Sequence, residues 1–579
     1  MIKKNNFKNP FSEHIFYNKY AQGQNDTWPN LAERLVDDVC GTMGGKHHPI
    51  LSQEDRDYLV EIITQFKFIP GGRYLYYAGR SKHFWNNCFL LKAEEDTREE
   101  WSDLTRRAMS CLMSGGGIGV DYSALRPSGA ALRSTGGIAS GPIPLMYCIN
   151  EVGRNVMQGG SRRSAIYASL NWQHKDAEEF LTVKDWHSRT IHEGFSYWDA
   201  KQNNFNFPCP LDMTNISLNY DDDWFKLEEK ANPPDYEQFD AIIRTGKVRW
   251  VPKADDPIFL KNCYQAMSTG EPGFSFNFGD KENETLRNAC TEVTSSDDSD
   301  VCNLGSINMG AIETIAEFRD IVNVASKFLV CGTVRADLPY DRVREIREKN
   351  RRLGLGLMGI HEWLLKRGQK YEVTKELHGW LSVYSEESES AALDHCNRLY
   401  LSSPVAFRAI APTGSIGILA ATTTGIEPLF AVAYKRRYLT DGTKWKYEYV
   451  VDSVADSLIR EYGLKPESID TALTLSEDYE RRIKFQADIQ DYVDMSISST
   501  INLPAWGSKG NNEDKVSDFA RTLASYASRL RGFTCYPDGA RGGQPLTTID
   551  YEEAMKHKGV VFEENDICDI TGHGGSCGV

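Results

Sequence analysis

A chain of 579 residues with a formal net charge of −15 lacks the excess of Lys and Arg that a protein built mainly to grip nucleic acid needs. Its 41% hydrophobic and 25% charged residues are ordinary for a soluble globular protein, and no run of about 18 uncharged apolar residues offers a membrane span. The start, Met1-Ile2-Lys3-Lys4-Asn5-Asn6, opens no apolar signal-peptide core, so the expected location is the cytoplasm.

The length predicts two to four domain-sized units, or one large α/β barrel with additions. In chain order, residues 1–70 read as a helical region, with a helix from Glu54 to Phe66 that stops at Ile69-Pro70-Gly71-Gly72. Residues 71–545 alternate apolar strands, glycine turns and amphipathic helices, an α/β pattern. Phe89-Leu90-Leu91 is a strand, Glu99 to Leu112 a helix, and an acidic, loop-like stretch follows Thr214, marked by Asp221-Asp222-Asp223. Residues 546–579 read as a last short helix and a glycine-rich end whose composition suits a mobile tail.

Three glycine-rich segments invite a nucleotide reading. Gly115 to Val120 lacks the G-x-G-x-x-G order and the acidic residue about 20 positions on, so hydride transfer is a weak reading, and no Walker A loop is present. Gln158-Gly159-Gly160-Ser161-Arg162-Arg163 suits a mobile loop touching phosphate or base, or equally an exposed turn with solvated arginines. In Ala411-Pro412-Thr413-Gly414-Ser415-Ile416-Gly417, small residues at a helix start leave backbone N–H groups free for a di- or triphosphate; the plain alternative is an ordinary capped helix.

The 13 cysteines, odd in number and scattered, form no secreted disulfide framework. The densest chemistry is Arg287-Asn288-Ala289-Cys290-Thr291-Glu292. Alternation along an extended segment puts Asn288, Cys290 and Glu292 on one face, where an amide, a thiol and a carboxylate suit a substrate with vicinal hydroxyls such as a ribose. Glu292 is a candidate general base. A strand that happens to alternate polar residues is the competing reading.

Further stretches complete a pattern: Asn86-Asn87-Cys88-Phe89-Leu90-Leu91, Val301-Cys302-Asn303-Leu304-Gly305-Ser306-Ile307-Asn308, the run 352–359 (Arg-Leu-Gly-Leu-Gly-Leu-Met-Gly), Thr424-Gly425-Ile426-Glu427-Pro428-Leu429-Phe430 and Ser496-Ile497-Ser498-Ser499-Thr500-Ile501-Asn502. With the glycine and cysteine segments, in this order over roughly residues 65–545, the chain resembles the ribonucleotide reductase catalytic subunit.

The resemblance implies a ten-stranded α/β barrel of two parallel five-stranded halves, with a central finger loop carrying a radical cysteine. That cysteine is then Cys290, a transient thiyl that takes the ribose 3′ hydrogen. Glu292 takes the 3′-hydroxyl proton, Asn288 holds the hydroxyls, and Cys88 and Cys302 supply two electrons and end as a disulfide. Asn87 and Pro412, Thr413, Gly414, Ser415 and Ile416 hold the substrate. Asp96, or its neighbour Glu95, meets a deoxynucleoside triphosphate or ATP effector at a subunit interface of a homodimer, with Gln158, Gly159, Gly160, Ser161, Arg162 and Arg163 between effector and substrate.

The radical source is implied by analogy. The adjacent tyrosines Tyr76 and Tyr77 lie at the wrong end for the class fed by a separate metal-containing subunit. Gly532-Phe533-Thr534-Cys535-Tyr536-Pro537-Asp538-Gly539 is similar to the adenosylcobalamin class, and so is the short spacing of Cys290 and Cys302. No metal-ligand set is read. Cys568 and Cys577 suit a tail that relays electrons from a thioredoxin or glutaredoxin-like reductant; a partial zinc site with His573 or inert thiols are the alternatives. The rival readings are the same reductase fed by a radical-generating subunit, a catalytically silent nucleotide-binding regulator, and, distantly, a nicotinamide oxidoreductase. Few residues precede the expected barrel, so no ATP-cone is expected, and rising dATP at saturating specificity effector should leave turnover intact; strong inhibition in that assay would count against it.

Overall fold

The computed structural model describes residues 5, 7–41, 50–132, 136–156, 164–204, 206–227, 252–440, 444–540 and 546–563. Three helices come first, Pro10–Lys19, Trp28–Cys40 and Gln53–Thr64, each begun by an Asn, Thr or Ser side chain that accepts from a backbone N–H of the first turn. They lead into a short strand, β1 (Phe68–Pro70).

The five strands of the first half are β2 (Cys88–Lys92), β3 (Gly117–Asp121), β4 (Ile166–Asn171), β5 (Thr214–Tyr220) and β6 (Gly273–Phe276). They pair in that order, all parallel. Four more follow: β7 (Asp300–Asn308), β8 (Leu353–Met358), β9 (Thr500–Leu503) and β10 (Gly532–Pro537). Here β7 is parallel to β8 and β9 to β10, while β1 lies antiparallel on the far end of β7. The two halves meet antiparallel at β7 with β2 and at β10 with β6.

One member of the second half departs from the ladder. Residues 406–410 lie between β8 and β9 with one parallel bridge to each side, Leu355 with Arg408 and Ile410 with Ile497, and backbone bonds such as Leu355 N–H to Phe407 O at 3.1 Å and Ser498 N–H to Ile410 O at 2.8 Å. Regular pairing therefore does not close into a barrel at this place. Asp494 accepts the backbone N–H groups of Phe407 and Arg408 at 2.6 and 2.8 Å, so a carboxylate supplies part of this member's pairing.

Parallel strands with helices outside are buried on both faces and lose their alternation. This explains a correction to the sequence reading. The stretch from Thr214 is no loop but the central strand β5, in which the polar Ser217 and Asn219 are as buried as Ile216 and Leu218. Of the acidic residues after it, Asp221 caps the short helix Asp222–Phe225 by accepting Asp223 N–H at 3.2 Å, and also accepts from Asn171 Nδ2 at 2.7 Å and Trp172 Nε1 at 3.1 Å.

Outside the first half, Phe89, Ile118, Ile166 and Leu218 pack against a layer that includes helices Arg98–Met113, Ile143–Asn155 and Pro257–Thr269. Outside the second, Ile307, Leu355 and Leu357 share one core with the N-terminal helices and with helices Ile315–Arg335 and Lys375–Leu399. A small inner cluster, Cys88, Leu90, Leu286, Val293, Cys302, Ala406, Ala409 and Met495, fills the space between the halves. Strands Ala433–Thr440 and Lys444–Val451 pair antiparallel and are flanked by Leu546–Thr548 and Val561–Glu563, with helix Tyr551–Lys556 between these last two strands in the chain. No helix among the described residues is long and apolar enough to cross a membrane.

The inner cluster belongs to a finger: Leu286–Arg287 and Thr294–Ser295 pair antiparallel, and the turn between them reaches along the inside of β3. A Cβ on Gly119 would lie 1.6 Å from the Arg287 carbonyl oxygen, and one on Gly117 would lie 3.0 Å from Ala289 Cβ. The glycines are there so that the finger can pass. Gly119→Ala should therefore cost about 3 kcal/mol by overpacking against backbone, read as a lowered melting temperature, whereas Gly129→Ala, at a left-handed turn with nothing within 4 Å of the new Cβ, should cost less.

Candidate active site

The finger ends in a tight turn, with Thr291 N–H donating to Asn288 O at 3.0 Å and Thr291 in the left-handed region at φ +71°. A β-branched residue there is strained, so the turn is held from outside. The sequence reading placed Asn288, Cys290 and Glu292 together by strand alternation; they do converge, but through this turn. Asn288 Nδ2 donates to Glu292 Oε1 at 2.9 Å and Asn288 Oδ1 accepts from Val293 N–H at 3.0 Å, tying the base of the turn. Cys290, at the tip, is exposed.

The pedestal under the finger is ionic. Arg287 is fully buried, donating to Asn277 Oδ1 at 2.6 Å and Arg531 O at 3.1 Å. Glu284 accepts from Thr294 Oγ1 at 2.7 Å and pairs with Arg531 at 3.1 Å; Arg352 pairs with Asp300 at 2.9 Å, and Asp300 takes the Ser295 hydroxyl at 2.7 Å. Removing one partner of such a buried set strands a charge, which makes the finger's base rigid.

Cys88 and Cys302 face each other directly in the antiparallel register of β2 and β7. Opposed Cα atoms in such a pair lie roughly 4.5–5.5 Å apart, inside the span of roughly 4.4–6.8 Å that a disulfide bridges. Both are buried free thiols. Burial pushes both thiols well up, and at Cys88 the neighbouring Glu292, Cys302 and Cys290 add to it, so each holds its proton. Gly354 makes room for the second: a Cβ there would stand 3.1 Å from Cys302 Sγ.

Glu292 is 1% exposed, and burial raises its carboxyl to about 7 against the pull of the Asn288 hydrogen bond. Its Oε2 has no hydrogen-bond partner among the described residues. A buried oxygen left this way, on a carboxyl poised near neutrality, is what a general base needs from its surroundings.

Above Cys290 opens a cavity of about 550 Å³. Its wall carries Gly270, Gly273, Pro412, Pro428 and Phe430, and neutral hydrogen-bonding groups from Ser217, Thr424, Ser498, Thr500, Asn502 and Thr534. Glu427, in the same wall, was not singled out by the sequence. Its carboxylate accepts Thr500 N–H at 2.9 Å and is paired with Arg482, a buried guanidinium that also donates to the Tyr371 hydroxyl at 2.8 Å. The only signal was its place in the stretch Thr424 to Phe430, because a partner as remote as Arg482 leaves no local trace.

Pro412 joins Cys290 in this cavity, and Thr413, in the left-handed region, precedes the helix Gly414–Ala420, so Gly414, Ser415 and Ile416 form its first turn. Thr413 Oγ1 accepts Gly425 N–H at 2.8 Å, and Lys19 of the first helix donates to Ser415 Oγ at 3.0 Å. Asn87 precedes Cys88, its carbonyl accepting Gly117 N–H at 2.9 Å. Asp96 lies away from the finger, its carboxylate paired with the Arg126 side chain and accepting Arg126 N–H at 3.0 Å, while Glu95 is exposed. Gln158 to Arg163, Cys568 and Cys577 lie outside the described residues.

A family model described as ribonucleotide reductase, barrel domain, matches residues 86–239, 257–380 and 405–536. Over 560 residues the chain is 26% identical to the vitamin B12-dependent ribonucleoside-diphosphate reductase of Mycobacterium tuberculosis (strain CDC 1551 / Oshkosh), covering 87% of this chain and 75% of the relative. It is 26% identical to the enzyme of that name from Thermoplasma acidophilum, covering 87% and 68%. A protein of Mycobacterium phage D29, provisionally named an adenosylcobalamin-dependent ribonucleoside-triphosphate reductase, is 22% identical, covering 94% and 96%.

The raised carboxyl of Glu292 has a measurable sign. It is neutral in acid, where burial costs nothing, and its ionisation destabilises the fold as pH rises from the ordinary 4.5 through about 7. Glu292→Gln should be the more stable protein at pH 8, by roughly 2–3 kcal/mol, with the gap closing below pH about 5; parallel melting curves at both pH values check it.

Proposed function

The chain belongs to the ribonucleotide reductase family, and on that premise we propose that it reduces ribonucleotides, diphosphates by preference, to 2′-deoxyribonucleotides through a thiyl radical on Cys290 formed with adenosylcobalamin. The observation that carries this reading is the register of β2 on β7, which sets two protonated thiols face to face beside the finger. The diphosphate preference rests on the names of the Mycobacterium tuberculosis and Thermoplasma acidophilum relatives.

The cavity above Cys290 fits the reacting side of such a cofactor. Small and apolar residues, Gly270, Gly273, Pro428 and Phe430, would take a broad flat ring, and Ser217, Thr500, Asn502 and Thr534 would meet its amide arms. When bound, the cofactor supplies an organic radical that takes the hydrogen atom of the Cys290 thiol. The rest falls to the chain. Cys290, exposed at the finger tip, removes the 3′ hydrogen of the ribose. Glu292 Oε2 accepts the 3′-hydroxyl proton, while Asn288 fixes that carboxyl through Oε1. One thiol of the Cys88 and Cys302 pair protonates the departing 2′-hydroxyl, which leaves as water. The pair gives two electrons and its second hydrogen goes to C2′, Glu292 returns its proton to the 3′ oxygen, the 3′ hydrogen returns from Cys290, and a disulfide remains. Thr413 to Ile416 hold the phosphates by backbone N–H groups at the start of the helix, Pro412 shapes the wall beside them, and Asn87 borders the sugar.

Control and supply complete the reading. A deoxynucleoside triphosphate or ATP binds near Asp96 in a homodimer, with the loop Gln158 to Arg163 signalling to the substrate. A thioredoxin or glutaredoxin-like protein reduces the disulfide through Cys568 and Cys577. The purified chain alone, under anaerobic conditions with dithiothreitol and mixed effectors, should convert CDP in preference to CTP, and only when adenosylcobalamin is added. Cys290→Ser should give no product. Product without the cofactor, or none from folded protein with it, would reject the cofactor and point to a separate radical-generating subunit.

A further inference from the structure

Behind β7, on the face away from Cys302, lies a second group of thiols that the chemistry above does not use. Asn303, the next residue, turns outward and donates to Leu329 O at 2.9 Å, so helix Ile315–Arg335 seats directly on the barrel wall. Cys331 of that helix, Cys40 at the end of helix Trp28–Cys40, and His395 of helix Lys375–Leu399 meet there, all buried. Cys331 Sγ is 3.4 Å from His395 Nε2 and in hydrogen-bond contact with the Cys40 thiol.

The arrangement has a direction. Arg398 Nη2 stands 3.1 Å from His395 Nδ1, and a guanidinium can only donate. Nδ1 is therefore the acceptor, and the ring proton of the neutral imidazole sits on Nε2, aimed at Cys331. Cys331 thus receives two hydrogen bonds, from His395 and from Cys40, and both favour its thiolate. Burial works against this, yet the contacts with Cys40 and His395 outweigh it and hold the Cys331 thiol below the usual thiol range. Burial and the neighbouring Cys331 push the Cys40 thiol up. One nucleophilic thiolate beside one protonated thiol is the resting form of a dithiol ready to oxidise. Among the described residues no three His, Cys, Asp or Glu groups are set to hold a metal ion.

We propose that Cys40 and Cys331 are a second redox-active pair, which a hydroperoxide oxidises to a disulfide joining helix Trp28–Cys40 to helix Ile315–Arg335. The Cys331 thiolate attacks hydrogen peroxide, the O–O bond breaks, and the sulfur becomes a sulfenic acid. The departing hydroxide takes up the proton lost when Cys331 ionised. Cys40 then attacks that sulfur, the S–S bond forms, the S–O bond breaks, and the second oxygen leaves as water with the Cys40 proton. Two thiols give two electrons and peroxide ends as two waters. Both sulfurs are buried within about a turn of their helix ends, so the oxidant reaches them through local opening there. The consequence is a staple between the N-terminal helices and the wall that carries Cys302.

The test treats the full reduced chain with hydrogen peroxide, alkylates it, and maps peptides without reduction, using the Cys88–Cys302 link as an internal measure of oxidant. A Cys40–Cys331 link should appear, and Cys40→Ser and Cys331→Ser should each abolish it. His395→Leu should slow its formation roughly tenfold by lowering the thiolate fraction, with the Cys88–Cys302 rate unchanged. Should His395→Leu fail to fold, His395→Gln, which keeps an N–H donor, is expected to retain much of the rate. Recovery of alkylated Cys40 and Cys331 after Cys88 and Cys302 have fully linked would overturn the proposal, as would a link from Cys331 to Cys396 instead.

Discussion

A loop can run through the middle of a ring of strands only where those strands bare their backbone. That close approach is the constraint on which the rest of this molecule depends. At Gly119 the finger's carbonyl oxygen occupies the place where a side chain would start, and Gly117 admits Ala289 in the same way. On the opposite wall Gly354 clears space for the Cys302 sulfur and Gly356 for the carbonyl of Ala409. Bare strands lose packing, and the interior restores it with the finger's own Leu286 and Val293.

Holding the finger at this depth sets the electrostatics of its tip. The turn needs charged anchors, and Arg287, Arg352 and Arg531 are buried to supply them, matched by Glu284 and Asp300. Two of the three are ion-paired and Arg287 is held by carbonyl and amide oxygens, all below the turn, while the tip beside Cys290 carries the Glu292 carboxyl. Burial lifts that carboxyl toward neutrality. The same burial keeps Cys88 and Cys302 protonated. A dry interior thus sets three proton affinities at once, and none of them requires a dedicated partner.

Much of this was legible in the sequence because the chemistry is local. Asn288, Cys290 and Glu292 lie within five positions, and helix Arg98–Met113 announces itself by period and by its Thr97 cap. What escaped was non-local or hidden by burial. Strand β5 looks like a loop because Asn215, Ser217 and Asn219 are polar, although they pair with neighbours inside the sheet. The finger's convergence was expected from alternation, but two-residue strands carry no period to read, and a left-handed Thr291 does the work instead. The irregular member 406–410 takes part of its backbone pairing from Asp494, too distant in the chain to be seen from its own residues. Glu427 waited on Arg482 for the same reason.

The antiparallel seam between the halves has a mechanical meaning. β2 and β7 touch through only three residue pairs, Asp300 with Leu90, Val301 with Phe89 and Cys302 with Cys88, and the cysteine pair is the last of them. A disulfide formed there is a rivet at the end of a short zipper. The two half-shells would then be stiffer after oxidation than before it, and the barrel's resistance to opening would rise and fall with each cycle of its own chemistry.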